Sequence, residues 1–277
     1  MATPPSPSDA DRRAGEAFAR LLAIMARLRD PDRGCPWDLQ QDFATIAPYT
    51  IEEAYEVAEA ISNADMDELR DELGDLLFQV AFHGQMAREA GHFDAGDVAE
   101  AIAEKMIRRH PHVFGSADGR DAAGQTEAWE EMKAAERARK GPRTSALDGV
   151  AYALPALMRA EKLQKRAART GFDWSEPEPI LEKLDEEIGE VREAMAGGHA
   201  GEIEEEVGDL LFVCANLSRQ LKLDPETALR KANDKFERRF RAMETLAGAR
   251  GEAFSDLTLD AQEDLWRAVK QAEKAGD

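Results

Sequence analysis

Apolar positions recur at helical spacing along almost the whole chain, and no long alternating run rich in Val, Ile and Thr interrupts them. Phe18, Leu21, Leu22, Met25 and Leu28 share one face of a first helix, which Asp30-Pro31, Gly34 and Pro36 bring to an end. Thr50-x-x-Glu53 has capping-box form and predicts a second helix opening there, and Asp65-x-x-Glu68 predicts a third running to about Glu89. A fourth is expected over 97–109, ahead of Pro111, and a fifth over 126–140. Past Gly141-Pro142 the pattern resumes, with helices expected near 152–169, 179–195, 201–221, 225–247 and 259–275. Asp224-Pro225 supplies a cap followed by Pro at the first helical position. The expected fold class is all-α.

The second half repeats the first. Ile51–Ile61 aligns with Asp185–Met195, and Glu72–Phe78 with Glu206–Phe212, both 134 residues later. Gly34-Cys35-Pro36-Trp37 answers Gly171-Phe172-Asp173-Trp174 after 137 residues. Lys105-x-x-Arg108-Arg109 answers Lys235-x-x-Arg238-Arg239, and Trp129 with Lys133 answers Trp266 with Lys270. Two copies of one helical-bundle domain follow, 1–140 and 141–277, with the first dozen residues expected to be a disordered tail.

Each copy carries Glu-Glu-x-x-Glu, fifteen intervening residues, then Glu-x-x-Asp. At about 100° per residue, Glu52, Glu53 and Glu56 gather on one side of their helix, as do Glu72 and Asp75 on theirs. Two antiparallel helices bring such stripes together. Mutual repulsion then raises the carboxylate pKa values unless a cation intervenes, and an all-oxygen ligand set favours Mg²⁺ or Mn²⁺ over zinc or copper. A solvated Glu-rich face is the plainer reading. Against it, Leu69, Leu73, Leu76, Leu77 and Val80 form an apolar face on the third helix with Phe78 and Phe82 opposite, so Glu72 and Asp75 are expected to be partly buried. Gly74 is expected to admit a close helix approach. Lys235, Arg238, Arg239 and Lys270 offer donors for phosphate oxygens, and Trp266 a ring on which a base stacks; each alone reads better as surface ion pairing or core, and only together with the acidic cluster do they favour a metal-bound nucleotide.

The 36 Lys and Arg against 56 Asp and Glu give a net charge of −20. So acidic a chain is not expected to bind nucleic-acid polymers or anionic membrane, but it is compatible with a metal-bound nucleotide. Two cysteines, Cys35 and Cys214, are too few for a disulfide framework and fit a reducing cytoplasm. No run of about 18 apolar residues occurs. The five histidines show no ligand spacing shared by the copies, and no P-loop, serine elbow or dinucleotide fingerprint is present. Without Glu-x-x-His a di-iron carboxylate bundle is disfavoured.

GCPWD (34–38), PYTIEEAYEV (48–57), DELGDLLFQVAFH (71–83), RRHPHVFG (108–115), TGFDW (170–174) and ANDKFERRF (232–240) together resemble the MazG family of nucleoside triphosphate pyrophosphohydrolases. The resemblance implies duplicated bundles of the all-α NTP pyrophosphatase type, a homodimer, and Mg²⁺-dependent conversion of nucleoside triphosphates to monophosphates and pyrophosphate. It makes Glu187, Glu190, Glu206 and Asp209 the metal ligands and Glu186 the residue that orients or deprotonates water. It assigns Lys183, Lys235 and Arg239 to the phosphates, and Trp266 and Lys270 to the nucleotide end. It ranks the C-terminal copy first and allows a second metal site at Glu53, Glu56, Glu72 and Asp75. Glu202 stands where the family pattern has Lys. A narrow dUTP or modified-nucleotide pyrophosphatase and a non-catalytic nucleotide-binding module are the alternatives.

Overall fold

The computed structural model describes residues 6–114, 124 and 145–276, and every regular element among them is helical. Two compact units result, Met1–Lys140 and Gly141–Asp277. Unit 1 comprises α1 (Asp9–Leu28), α2 (Pro36–Gln40), α3 (Phe43–Asn63), α4 (Met66–Glu89), α5 (Ala95–Arg109) and α6 (Pro111–Phe114). Unit 2 comprises α7 (Ala156–Ala168), α8 (Glu178–Gly197), α9 (Ala200–Gln220), α10 (Pro225–Ala249), a 3₁₀ turn (Phe254–Asp256) and α11 (Leu259–Gly276). The expected helix over 126–140, with Trp129 and Lys133, and the Gly141-Pro142 boundary lie outside the described residues.

In unit 1, α4 is the central helix, packed by α3, α1 and α5. Met25, Ile46, Ala81, Phe82 and Met86 form its core, flanked by Leu21, Leu22, Leu28 and Phe78. Burying Met25, Ile46 and Phe82 completely contributes roughly 1.5–3 kcal/mol each. In unit 2, α9 takes the central place against α8 and α7, while α10 pairs with α11 around Met243, Ala247, Leu265 and Val269.

Four expectations are corrected. The first dozen residues are not all a tail, because Ser8 and Asp11 form a capping box that starts α1 at Asp9. The second helix opens at Phe43, not Thr50: Asp42 accepts from the backbone N–H of Ala44 and Thr45, and Thr45 returns the bond to Asp42. Thr50 is internal and its Oγ1 lies 3.0 Å from His83 Nε2. On α4, Leu73, Leu77 and Val80 are exposed, and the core is built on the Phe78–Phe82 side. Gly74 is not a close-approach point, since a Cβ there meets nothing within 4 Å; Gly84 is, with Ala95 Cβ at 3.0 Å.

The turn joining α3 to α4 and the turn joining α8 to α9 are each two residues long. Each begins with a residue in the left-handed region, Ala64 (φ 55°) and Gly198 (φ 74°), again 134 residues apart. These turns fold each pair of helices back on itself and set the two acidic stripes face to face.

Candidate active site

In unit 2, carboxylate oxygens of Glu187, Glu190 and Glu206 all lie within 4.8 Å of one another, and in unit 1 those of Glu53, Glu56 and Glu72 do the same. The predicted fourth members, Asp209 and Asp75, fall outside those trios and are exposed. Their charge still reaches the clusters: Glu206 is raised above the ordinary carboxylate range by desolvation, then by Glu190, Asp209 and Glu187. Glu53 is raised by desolvation and then by Asp75 and Glu56. Glu72 is half-buried as expected, whereas Asp75 is not.

Glu187 is 4% exposed, and its Oε2 is buried without a hydrogen-bond partner. Its Oε1 takes Lys183 Nζ at 2.8 Å, and the same ammonium reaches Glu186 at 2.8 Å and Glu190 at 3.9 Å. The hydrogen bonds that Lys183 donates, to Glu186 first and then to Glu187, raise its pKa. An orphaned buried carboxylate oxygen beside two further carboxylates is the donor set of a hard divalent cation, so the residues present fit Mg²⁺. In unit 1 the position of Lys183 is held by Tyr49, which contacts Trp37 edge-on at 6.1 Å.

The basic residues form a second group on the α10–α11 pair. Arg239 and Arg238 both bond Glu273, at 2.7 and 3.1 Å, and hold its carboxyl below the ordinary value. The Arg239 guanidinium lies over Trp266 at 5.4 Å, and Trp266 also meets Phe236 at 5.8 Å. Trp266 is thus half-buried against the α10–α11 core. Lys235 is exposed and Lys270 half-buried, and neither has an ion pair among the described residues.

Sequence reasoning missed a third feature. A cavity of about 530 Å³ opens beside α9, lined by Gln164 and Leu163 of α7, by Phe172, Asp173 and Trp174, and by Phe212, Val213, Asn216 and Arg219 of α9. The signal available was the exchange of apolar residues in the first copy for polar ones in the second. Asn216 stands where the first copy has Phe82, and Gln220 where it has Met86.

The MazG nucleotide pyrophosphohydrolase domain is matched twice, over residues 41–114 and 175–243, so each match contains one acidic trio. The chain belongs to the MazG family. It is 52% identical over 258 residues to a nucleoside triphosphate pyrophosphohydrolase of Escherichia coli K12, covering 92% of this chain and 97% of the relative. To the nucleoside triphosphate pyrophosphohydrolase/pyrophosphatase MazG of Thermotoga maritima it is 44% identical over 259 residues, covering 94% and 98%. Among the described residues no helix is long and apolar enough to cross a membrane.

Proposed function

We propose that this chain hydrolyses nucleoside triphosphates to the monophosphate and pyrophosphate in a Mg²⁺-dependent reaction, acting as a cytoplasmic homodimer on the nucleotide pool. The observation that carries the reading is Glu187: one oxygen on Lys183, the other buried and unpartnered, with Glu190 and Glu206 alongside. Glu187, Glu190 and Glu206, with Asp209 beside them, would hold Mg²⁺ or its substitute Mn²⁺. Bound there, the ion supplies charge neutralisation and a more acidic water.

Glu186 is exposed next to the trio and accepts the proton of the water that attacks the α-phosphorus, while pyrophosphate leaves in line. Lys183 moves from Glu187 to a phosphate oxygen as the triphosphate arrives. Arg239 and Lys235 stabilise charge on the outer phosphates, with Trp266 fixing the Arg239 plane and Lys270 one turn further along α11. Turnover is assigned to unit 2, because Tyr49 gives unit 1 no counterpart of Lys183; its trio is a second cation site. The homodimer is supported by exposed apolar stripes at matching positions, Leu73 and Leu77 on α4, Val207 and Leu211 on α9.

The test is pyrophosphate release from canonical, deoxy, dUTP and modified triphosphates with Mg²⁺, before and after chelation. Release confined to dUTP or a modified nucleotide narrows the substrate. Binding without any release across the panel leaves a non-catalytic nucleotide-binding module and rejects the hydrolase.

A further inference from the structure

On the α10–α11 pair a single carboxylate serves two arginines. Trp266, Lys270 and Glu273 follow one another at i, i+4 and i+7, which puts all three on one face of α11. The two oxygens of Glu273 are divided between neighbours on α10. Arg239 Nε donates to Oε2 at 2.8 Å and its Nη2 lies 2.7 Å from the same oxygen, while Arg238 Nη2 reaches Oε1 at 3.1 Å.

The two pairings are not equivalent. The Arg238 side chain is 65% exposed, so water screens its bond and little is held by it. The Arg239 side chain is 20% exposed and is gripped twice, along one edge by Glu273 and on its face by the Trp266 ring at 5.4 Å. That ring is fixed in turn by Phe236 and by the core of Met243, Ala247, Leu265 and Val269. A guanidinium is a rigid planar fork of five N–H donors. With the Nε–Nη2 edge on Glu273, Nη1 has no hydrogen bond or ion pair among the described residues. Nη1 and the outer N–H of Nη2 form the end of the fork, which can grip two oxygens of one phosphate.

A plain tie between helices is a poor account of Glu273. The apolar core already joins α10 to α11, and a partly exposed ion pair adds little to it. A carboxylate beside a phosphate-binding arginine also repels the ligand and lowers its affinity. What it gains is alignment, because a long side chain with about 2 kcal/mol of rotamer entropy is immobilised before the ligand arrives.

We propose that Glu273 is a positioning residue: it holds the inner edge of Arg239 while Trp266 holds the face, so that the free end of the fork meets the outer phosphates already aligned. This rests on the assignment of Arg239 to those phosphates.

The full-length chain is assayed for pyrophosphate release with Mg²⁺ and titrated calorimetrically with Mg²⁺-tripolyphosphate. Glu273→Ala is expected to lower kcat by about 10-fold, through a misaligned donor, while tripolyphosphate binds about 3-fold more tightly because a repelling charge is gone. Glu273→Gln keeps an acceptor for Arg239 Nε without the charge, and is expected to recover most of kcat and keep the tighter binding. In an Arg239→Met background Glu273→Ala should lower kcat no further. Wild-type kcat and affinity in Glu273→Ala overturn the assignment, as does a Gln variant no faster than the Ala variant. Loss of kcat and affinity together in both variants also overturns it, since the carboxylate then only holds the helices. If Arg239→Met itself changes neither kcat nor tripolyphosphate affinity, the phosphate role of Arg239 fails and that of Glu273 with it. An impaired Arg239→Met beside an unaffected Glu273→Ala rejects the positioning role alone.

Discussion

Lys183 Nζ and Glu187 Oε1 lie 2.8 Å apart on successive turns of α8, and the lysine thereby occupies only half of a buried carboxylate. The ammonium offsets part of the trio's charge when no other cation is present. Replacing it separates two duties that the wild type combines. Lys183→Met is expected to lower pyrophosphate release by about 100-fold or more, the scale of a lost charge-stabilising donor. Mn²⁺ affinity, measured calorimetrically, should hold or rise because a competitor for Glu187 is gone. Metal affinity that collapses together with turnover contradicts this division of roles.

Turnover is expected to depend on one unit. Glu206→Ala and Asp209→Ala should each abolish pyrophosphate release with helicity by circular dichroism intact. Glu72→Ala, at the matching place in unit 1, should leave most of it, because Tyr49 replaces Lys183 there. Retained activity in both C-terminal variants moves the site elsewhere.

Ala64 adopts φ 55° in the turn where Gly198 adopts φ 74°. Side chains with a Cβ are strained in that region and glycine is not, so Ala64→Gly should stabilise unit 1 by about 0.5–1 kcal/mol, and Gly198→Ala should destabilise unit 2 by about 1 kcal/mol. Urea denaturation of the two variants gives both signs in one experiment, and equal signs refute the argument.

Arg29 and Glu89 link the end of α1 to the end of α4 at 2.7 Å. Burial pushes the Glu89 carboxyl up, but hydrogen bonds from Arg29 and Gln85 and the nearby arginine charges outweigh it and hold the carboxyl below its ordinary value of 4.5. A folded-state pKa depressed in this way stabilises the protein above the ordinary value, and the contribution is lost as pH falls through the depressed one. Melting curves between about pH 3 and 6 should therefore show a shallower acid loss for Glu89→Gln than for the wild type. Parallel curves exclude the pair as a source of acid sensitivity.

The apolar stripes on α4 and α9 predict assembly. Leu77→Arg with Leu211→Arg should shift the sedimentation coefficient to that of a single chain while each unit stays helical. An unshifted dimer locates the interface on another surface.

Much of this was legible in the sequence where geometry follows from local spacing. Residues three and four apart share a helix face whatever the fold, so Glu187 with Glu190, and Glu53 with Glu56, could be placed before any contact was known. The duplication then supplied the partner stripe. What spacing does not encode is which side of an amphipathic helix receives its neighbour: Leu73, Leu77 and Val80 have the right period yet stay exposed, while Phe82 a turn further on is buried. The capping-box form at Thr50 lies inside α3, which runs through Pro48 from its true cap at Asp42. Beyond the exchange of Phe82 for Asn216, the cavity was not legible, because Gln164, Trp174 and Asn216 belong to separate segments and only the fold brings them to one wall.

The two-residue turns that bring the carboxylates together also decide when this happens during folding. Closing so short a loop carries little entropic cost, and contacts near in sequence form early. Each helical hairpin is therefore expected to assemble its acidic face early in folding, ahead of the core. Repulsion between the stripes opposes that first step, and salt or a divalent cation screens it. The folding rate of each unit is thus expected to follow the ionic composition around the nascent chain through the carboxylates of its own trio.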